Sequence, residues 1–208
     1  MPQPELVIFD CDGVLADSEI IAARVEADLL TKAGYEITPE ELAQTYSGLT
    51  FKDILLRIEQ EAQTLFQASL LDEAERLVDQ RLAREVKPTD GAREAVAWVK
   101  GKRCICSNSS TPRLRSMLGR TGLLPLFDDA IFSSLDTPSA RPKPAPDVFL
   151  DAAETLGADP QRSFVIEDSI HGCWAPPVWL RTVVPTALNR SSILSPGWRL
   201  IVSTSASV

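Results

Sequence analysis

The sequence predicts an α/β fold in which a parallel sheet alternates with helices and carries a separate helical insert. Two apolar runs, Leu6-Val7-Ile8-Phe9 and Ser163-Phe164-Val165-Ile166, each read as a buried strand that ends on acids, Asp10 and Asp12 in the first case and Glu167 and Asp168 in the second. From Asp90 onward, short apolar runs alternate with helical periods, as parallel strands joined by crossover helices require. The intervening stretch, residues 15–87, has helical periods and no convincing strand.

The elements follow in order. Ile21, Ala22, Val25, Leu29 and Leu30 recur at helical spacing between Ser18 and Ala33, and Gly34 ends that run. Thr38-Pro39-x-Glu41 supplies an N-cap, a proline at the first helical position and the acid of a capping box. Two more helices are expected at about 51–61 and 71–85. Beyond Asp90 the pattern predicts a short helix at 91–99, a strand at 104–106, a helix opened by Thr111-Pro112 and ended near Gly122, a strand at 130–132, and a helix at about 146–156 stopped by Gly157.

Length and charge restrict the partners. A chain of 208 residues can bury a large core as one domain, or as one domain with a smaller insert. With 21 basic and 29 acidic residues the net charge is -8, and no basic block marks a nucleic-acid path or an anionic membrane patch. No stretch approaches the roughly 20 apolar residues needed to span a bilayer, and no signal-like N-terminus is visible. A soluble cytoplasmic protein is expected, a monomer or weak homodimer, with neither nucleic acid nor membrane as partner.

Of the four cysteines, Cys104 and Cys106 fall on one face of a buried strand and read as small apolar fillers rather than zinc ligands. Cys11 sits between acids, which disfavour a catalytic thiolate. The single histidine, His171, is read as a loop or helix-start residue and leaves no histidine-rich metal centre.

Strand ends that converge on acids make a site rather than a core. Four carboxylates buried together need a cation or shared protons to offset their repulsion, and oxygen ligands suit a hard cation. Two further features fall in the order expected if other strand ends feed the same pocket: Ser107-Asn108-Ser109-Ser110 after the strand at 104–106, and Lys143 within Arg141-Pro142-Lys143-Pro144. Alone, the serine run also reads as a polar loop before a helix cap, and Lys143 as a surface lysine.

Together these motifs resemble the haloacid dehalogenase-like hydrolase superfamily, in its sugar-phosphate phosphatase and phosphomutase-like branch. The resemblance rests on Asp10-x-Asp12-Gly13-Val14 with Leu15-Ala16-Asp17-Ser18, on Ser107-Asn108, on Lys143-Pro144-x-Pro146-Asp147-x-Phe149 and on Glu167-Asp168-Ser169. It implies a Rossmann-like three-layer α/β/α core formed by residues 1–14 and 88–208, with residues 15–87 as a mobile α-helical cap. It implies a Mg2+-dependent phosphatase of small phosphorylated metabolites, acting through an aspartyl-phosphate intermediate.

In that frame Asp10 is the nucleophile, since a carboxylate there can attack phosphorus in line once Mg2+ and basic donors neutralise the phosphoryl oxygens. Asp12 is the general acid and base. Ser107, Asn108 and Lys143 bind the phosphoryl group, Lys143 also neutralising the charge that develops on it. The expected metal ligands are Asp10, Asp12 and Asp168, with Glu167 a ligand or a water-mediated contact. Gly48, Leu49, Thr50 and Lys52 lie where this branch presents a substrate-facing loop, and a structural helix-start reading stands close behind it, because Thr50 is also a credible N-cap.

The rivals are a phosphomutase, a haloacid dehalogenase and a catalytically impaired phosphate-binding protein. Asp12 weakens the dehalogenase reading, because halide displacement needs no acid to protonate an alkoxide. From about residue 172 the family pattern lapses: Pro176-Pro177 would break the expected helix, and an edge strand at 182–184 is followed by a serine-rich run without period. This is the pattern of a replaced or frame-shifted C-terminus, with a poorly supported last helix.

Overall fold

The computed structural model describes residues 4–46, 49–63, 65–168 and 180–183. Five strands form one parallel sheet: β1 (Leu6–Phe9), β2 (Lys102–Ser107), β3 (Ile131–Ser133), β4 (Ser163–Ile166) and β5 (Leu180–Val183). Their spatial order is β3-β2-β1-β4-β5. The chain thus builds outward from β1 on one side and then crosses back to the other, which is a Rossmann-like order with a switch point beside β1. Among the described residues seven α-helices accompany them: α1 (Glu19–Lys32), α2 (Pro39–Thr45), α3 (Phe51–Ala62), α4 (Ser69–Glu85), α5 (Ala92–Trp98), α6 (Thr111–Thr121) and α7 (Asp147–Thr155). The chain divides into two compact units, one of residues 1–16 and 87–208 holding the sheet and one of residues 17–86 holding α1 to α4.

In the sheet unit β1 is central and all four of its residues are buried, which is why its sequence is an unbroken apolar run. Leu6, Ile8, Cys104, Cys106 and Val165 from three strands pack with Val148, Phe149, Ala152 and Ala153 of α7. Phe9 meets Phe127 edge to face at 5.9 Å. The cysteines on β2 are therefore core fillers, and Cys106 Sγ donates to the Val148 carbonyl at 3.5 Å.

The helical unit is built locally. Buried Ile21, Val25, Leu29 and Leu30 form the inner face of α1, which packs against α2 and α4. At α2 the capping box forms as its sequence requires: Thr38 Oγ1 accepts from the Glu41 N–H at 3.2 Å, and Glu41 accepts from the Thr38 N–H at 2.9 Å.

Some boundaries differ from the sequence expectation. β2 begins at Lys102 rather than residue 104, because the stems of Lys102 and Arg103 run along the sheet while their heads reach carbonyls beyond it. β3 begins at Ile131, since Asp128 and Asp129 both hold left-handed backbone (φ 47° and 64°) and delay the extended run. The strand expected at 182–184 falls on β5, at the sheet edge, whereas the helix doubted at 171–180 lies outside the described residues apart from Leu180. His171 and Cys173 lie outside them too. No helix among the described residues is long and apolar enough to cross a membrane.

Candidate active site

Parallel strands present their C-terminal ends at one edge, and the register decides which residues meet there. Phe9 pairs with Ile105 on β2 and with Ile166 on β4. The next residue on β1 is Asp10, so it stands beside the ends of both neighbours, and its N–H continues the ladder to the Ile166 carbonyl at 2.9 Å. Asp10 is buried, as are Glu167 and Ser107.

Lys143 joins these carboxylates. Its side chain is only 5 % exposed, and Nζ donates to Asp10 Oδ1 at 2.5 Å and to Glu167 Oε2 at 2.8 Å. The surface-lysine reading is thereby excluded. Asp168 completes the acidic group: one carboxylate oxygen from each of Asp10, Glu167 and Asp168 lies within 4.8 Å of the others. Three carboxylates gathered around one point offer hard oxygen donors at a spacing that suits a small divalent cation.

The protonation tendencies agree with that grouping. Burial raises the Asp10 carboxyl well above the usual carboxylate value; Lys143 pulls it down, but Glu167 and Asp12 push it up again. Burial alone would lower Lys143, yet Asp10 and Glu167 outweigh it and hold the ammonium above the usual lysine value. Both shifts favour bound protons, as expected where buried acids gather. Cys11 is buried, and burial together with Asp12 and Asp10 raises its thiol, so it is no thiolate nucleophile.

Asp12 stands apart from the metal-class group. Its Oδ2 accepts from the hydroxyls of Ser107 at 3.2 Å and Ser109 at 2.8 Å, and the grouped carboxylates are those of Asp10, Glu167 and Asp168. Ser107 Oγ in turn accepts from the Ser109 N–H at 3.0 Å. Ser109 was not singled out in the sequence; it looked like one more residue of a polar loop, and only the fold pairs it with a residue 97 positions earlier.

The turn after β1 is shaped by Gly13, whose φ is 76° and which closes on the Ala16 carbonyl at 2.9 Å. A Cβ at this position would lie 2.0 Å from Asp168 Oδ2. Gly13→Ala is therefore expected to cost about 1–2 kcal/mol for its left-handed backbone and, more consequentially, to drive Asp168 out of the cluster. On the reading that this acidic group holds a divalent cation, calorimetric titration with Mg2+ should show binding lost in a protein that still folds; unchanged affinity would place Asp168 outside the cation's ligands.

The described residues of the expected substrate loop lie at the start of α3. Thr50 caps α3: its Oγ1 accepts from the Asp53 N–H at 3.2 Å and donates to Asp53 Oδ2 at 2.7 Å, the helix-start reading of that residue. Lys52 is exposed in the first turn of α3, Leu49 is 37 % exposed, and Gly48 lies outside the described residues.

The model of the haloacid dehalogenase-like hydrolase family matches residues 4–176, most of the chain. The chain belongs to this family of enzymes. Among its relatives is the 6-phosphogluconate phosphatase of Escherichia coli K12, 27 % identical over 176 residues, covering 83 % of this chain and 77 % of the relative. Hexitol phosphatase B of the same organism is 33 % identical over 173 residues, covering 79 % and 75 % respectively. A solved haloacid dehalogenase-like protein of unknown function from Agrobacterium tumefaciens superimposes with a TM-score of 0.80 at 49 % identity, covering 86 % of this chain and 82 % of that one.

Proposed function

We propose that this haloacid dehalogenase-like hydrolase is a Mg2+-dependent phosphatase of small phosphate monoesters, those of sugars, sugar alcohols or sugar acids. The observation that carries the reading is the bridge of Lys143 between Asp10 and Glu167, with Asp168 within reach of the same point. It combines a carboxylate at a strand end, a buried cation and a set of hard donors, which is what in-line phosphoryl transfer needs.

In this reading Asp10 attacks phosphorus and forms an aspartyl-phosphate while the substrate oxygen leaves. Asp12 protonates that oxygen and then takes a proton from the water that cleaves the acyl-phosphate, releasing inorganic phosphate and restoring Asp10. Lys143 and the Ser107 hydroxyl bind the equatorial phosphoryl oxygens, for which Ser107 turns from its present bond to Asp12. Asp10, Asp168 and Glu167 would hold Mg2+, whose charge draws electron density from the phosphoryl group. The helical unit of residues 17–86, inserted in sequence directly after the Asp10 turn, serves as the cap that selects the leaving group. The names of the two Escherichia coli relatives support a phosphorylated sugar acid or hexitol as the substrate class.

Because Mg2+ requires Asp10 ionised and the cation-free site raises that carboxyl, proton and metal compete. Mg2+ affinity is expected to strengthen as pH rises through the raised Asp10 value, read as falling Kd in titrations across that range. A Kd independent of pH would remove Asp10 from the metal site. The activity itself is tested with Mg2+ and a panel of hexose, pentose, hexitol and sugar-acid phosphates against an aromatic phosphate. Release of phosphate, fastest from the polyhydroxylated esters, is expected; interconversion of sugar-phosphate isomers without free phosphate would instead establish a mutase.

A further inference from the structure

The loop that carries Lys143 is closed by Asp147, the first residue of α7. Its carboxylate accepts from the Ser139 hydroxyl at 2.8 Å and from Arg141 Nη2 through both oxygens at 2.8 Å. Lys143 lies inside this closed segment, and its backbone is held from another part of the sheet edge. Its N–H donates to Asn108 Oδ1 at 2.7 Å, and its carbonyl accepts from Asn108 Nδ2 at 3.3 Å.

Asn108 is itself fixed from behind. The same Oδ1 accepts from the Ser134 hydroxyl at 2.9 Å, and Ser134, fully buried after β3, has its carbonyl held by the Thr137 hydroxyl at 2.8 Å. A carboxamide oxygen has two lone pairs, and both are used here. Asn108 thus spends its acceptor on the protein, whereas a phosphate-binding role would draw only on its N–H groups.

We propose that Asn108, backed by Ser134, is a positioning residue that fixes the Lys143 backbone so that the ammonium spans Asp10 and Glu167. The reason such a device is needed lies in the lysine: four methylenes leave its head mobile, and one atom must meet two carboxylates at 2.5 and 2.8 Å. The inference rests on the phosphatase reading for its catalytic consequence, but its geometric content does not depend on it.

Crystal structures of Asn108→Ala and Ser134→Ala test the geometry directly. In Asn108→Ala, Lys143 Nζ is expected to lose hydrogen-bond contact with Asp10 or Glu167; an intact double contact would overturn the proposal. With p-nitrophenyl phosphate and Mg2+, kcat of this variant should fall on the order of 10²-fold, as for a reacting group displaced by about 1 Å. The Mg2+ concentration for half-maximal activity should not rise, whereas general collapse of the site would raise it. Ser134→Ala should show a smaller loss in the same direction, and it provides the test if Asn108→Ala fails to fold; Ser134→Ala with Asn108 and Lys143 unmoved and full activity would count against the arrangement. A wild-type protein inactive on every ester would defeat the phosphatase reading alone, because the structures would still decide the positioning.

Discussion

Asp10→Asn is expected to reduce phosphate release on the order of 10⁴-fold or more, the scale seen when a nucleophile that works with its neighbours as one unit is removed. The amide preserves volume and can still accept from Lys143, but it cannot form a stable acyl-phosphate. Stability should not suffer. The carboxyl is buried, and burial and the neighbouring acids already disfavour its charge, while Lys143 keeps Glu167 as an ionic partner. In the absence of Mg2+ the variant's Tm should match or exceed that of the wild type, and added Mg2+ should raise it less, because one carboxylate of the metal-class group is gone. Circular dichroism melts and a phosphate-release assay check both halves. Undiminished activity would show that another group attacks phosphorus.

The parts of the fold that could be read from sequence were those decided by local chemistry. Leu6 to Phe9 is an uninterrupted apolar run because a central strand of a parallel sheet is covered on both faces. Gly34, Gly122 and Gly157 mark helix ends because each takes the left-handed backbone there, with φ of 94°, 70° and 60°. Where long side chains lead away from a strand the pattern under-reports it: Lys102 caps the end of α7 through the Leu156 and Gly157 carbonyls at 2.7 and 2.8 Å, and Arg103 reaches Leu126 and Val99.

The acids of the candidate site were visible for the same local reason, each following an apolar strand. Its hydroxyl and amide contacts were not. Ser109 on Asp12 and Ser134 on Asn108 are set by which strand ends the β3-β2-β1-β4-β5 order makes neighbours, and no spacing in the chain encodes them. Asp12 is a like case: its place two residues after Asp10 is plain in the sequence, but the contacts of its Oδ2 with two serine hydroxyls appear only in the fold.

Lys143→Met is expected to have the second large effect. Lys143 is the shared partner of two buried carboxylates, so its removal takes that cation from Asp10 and Glu167, a change that costs about 3–5 kcal/mol for a buried pair broken on one side. The penalty should depend on pH. Losing the ammonium removes the main influence that lowers Asp10, so its folded value rises further above the unfolded one. The folded variant then binds a proton that the unfolded chain does not, and its stability is retained below the unfolded carboxylate value and lost as pH rises through the folded one. Thermal melts at pH 5 and pH 8 should therefore separate for the variant more than for the wild type, and Mg2+ should recover part of the difference at pH 8 by restoring positive charge. Activity should fall on the order of 10²–10³-fold, the scale for loss of one donor to a developing oxyanion. A variant with a higher Tm than wild type at both pH values would show that Lys143 does not compensate these carboxylates in solution, and with it the observation that carries the proposed function would be lost.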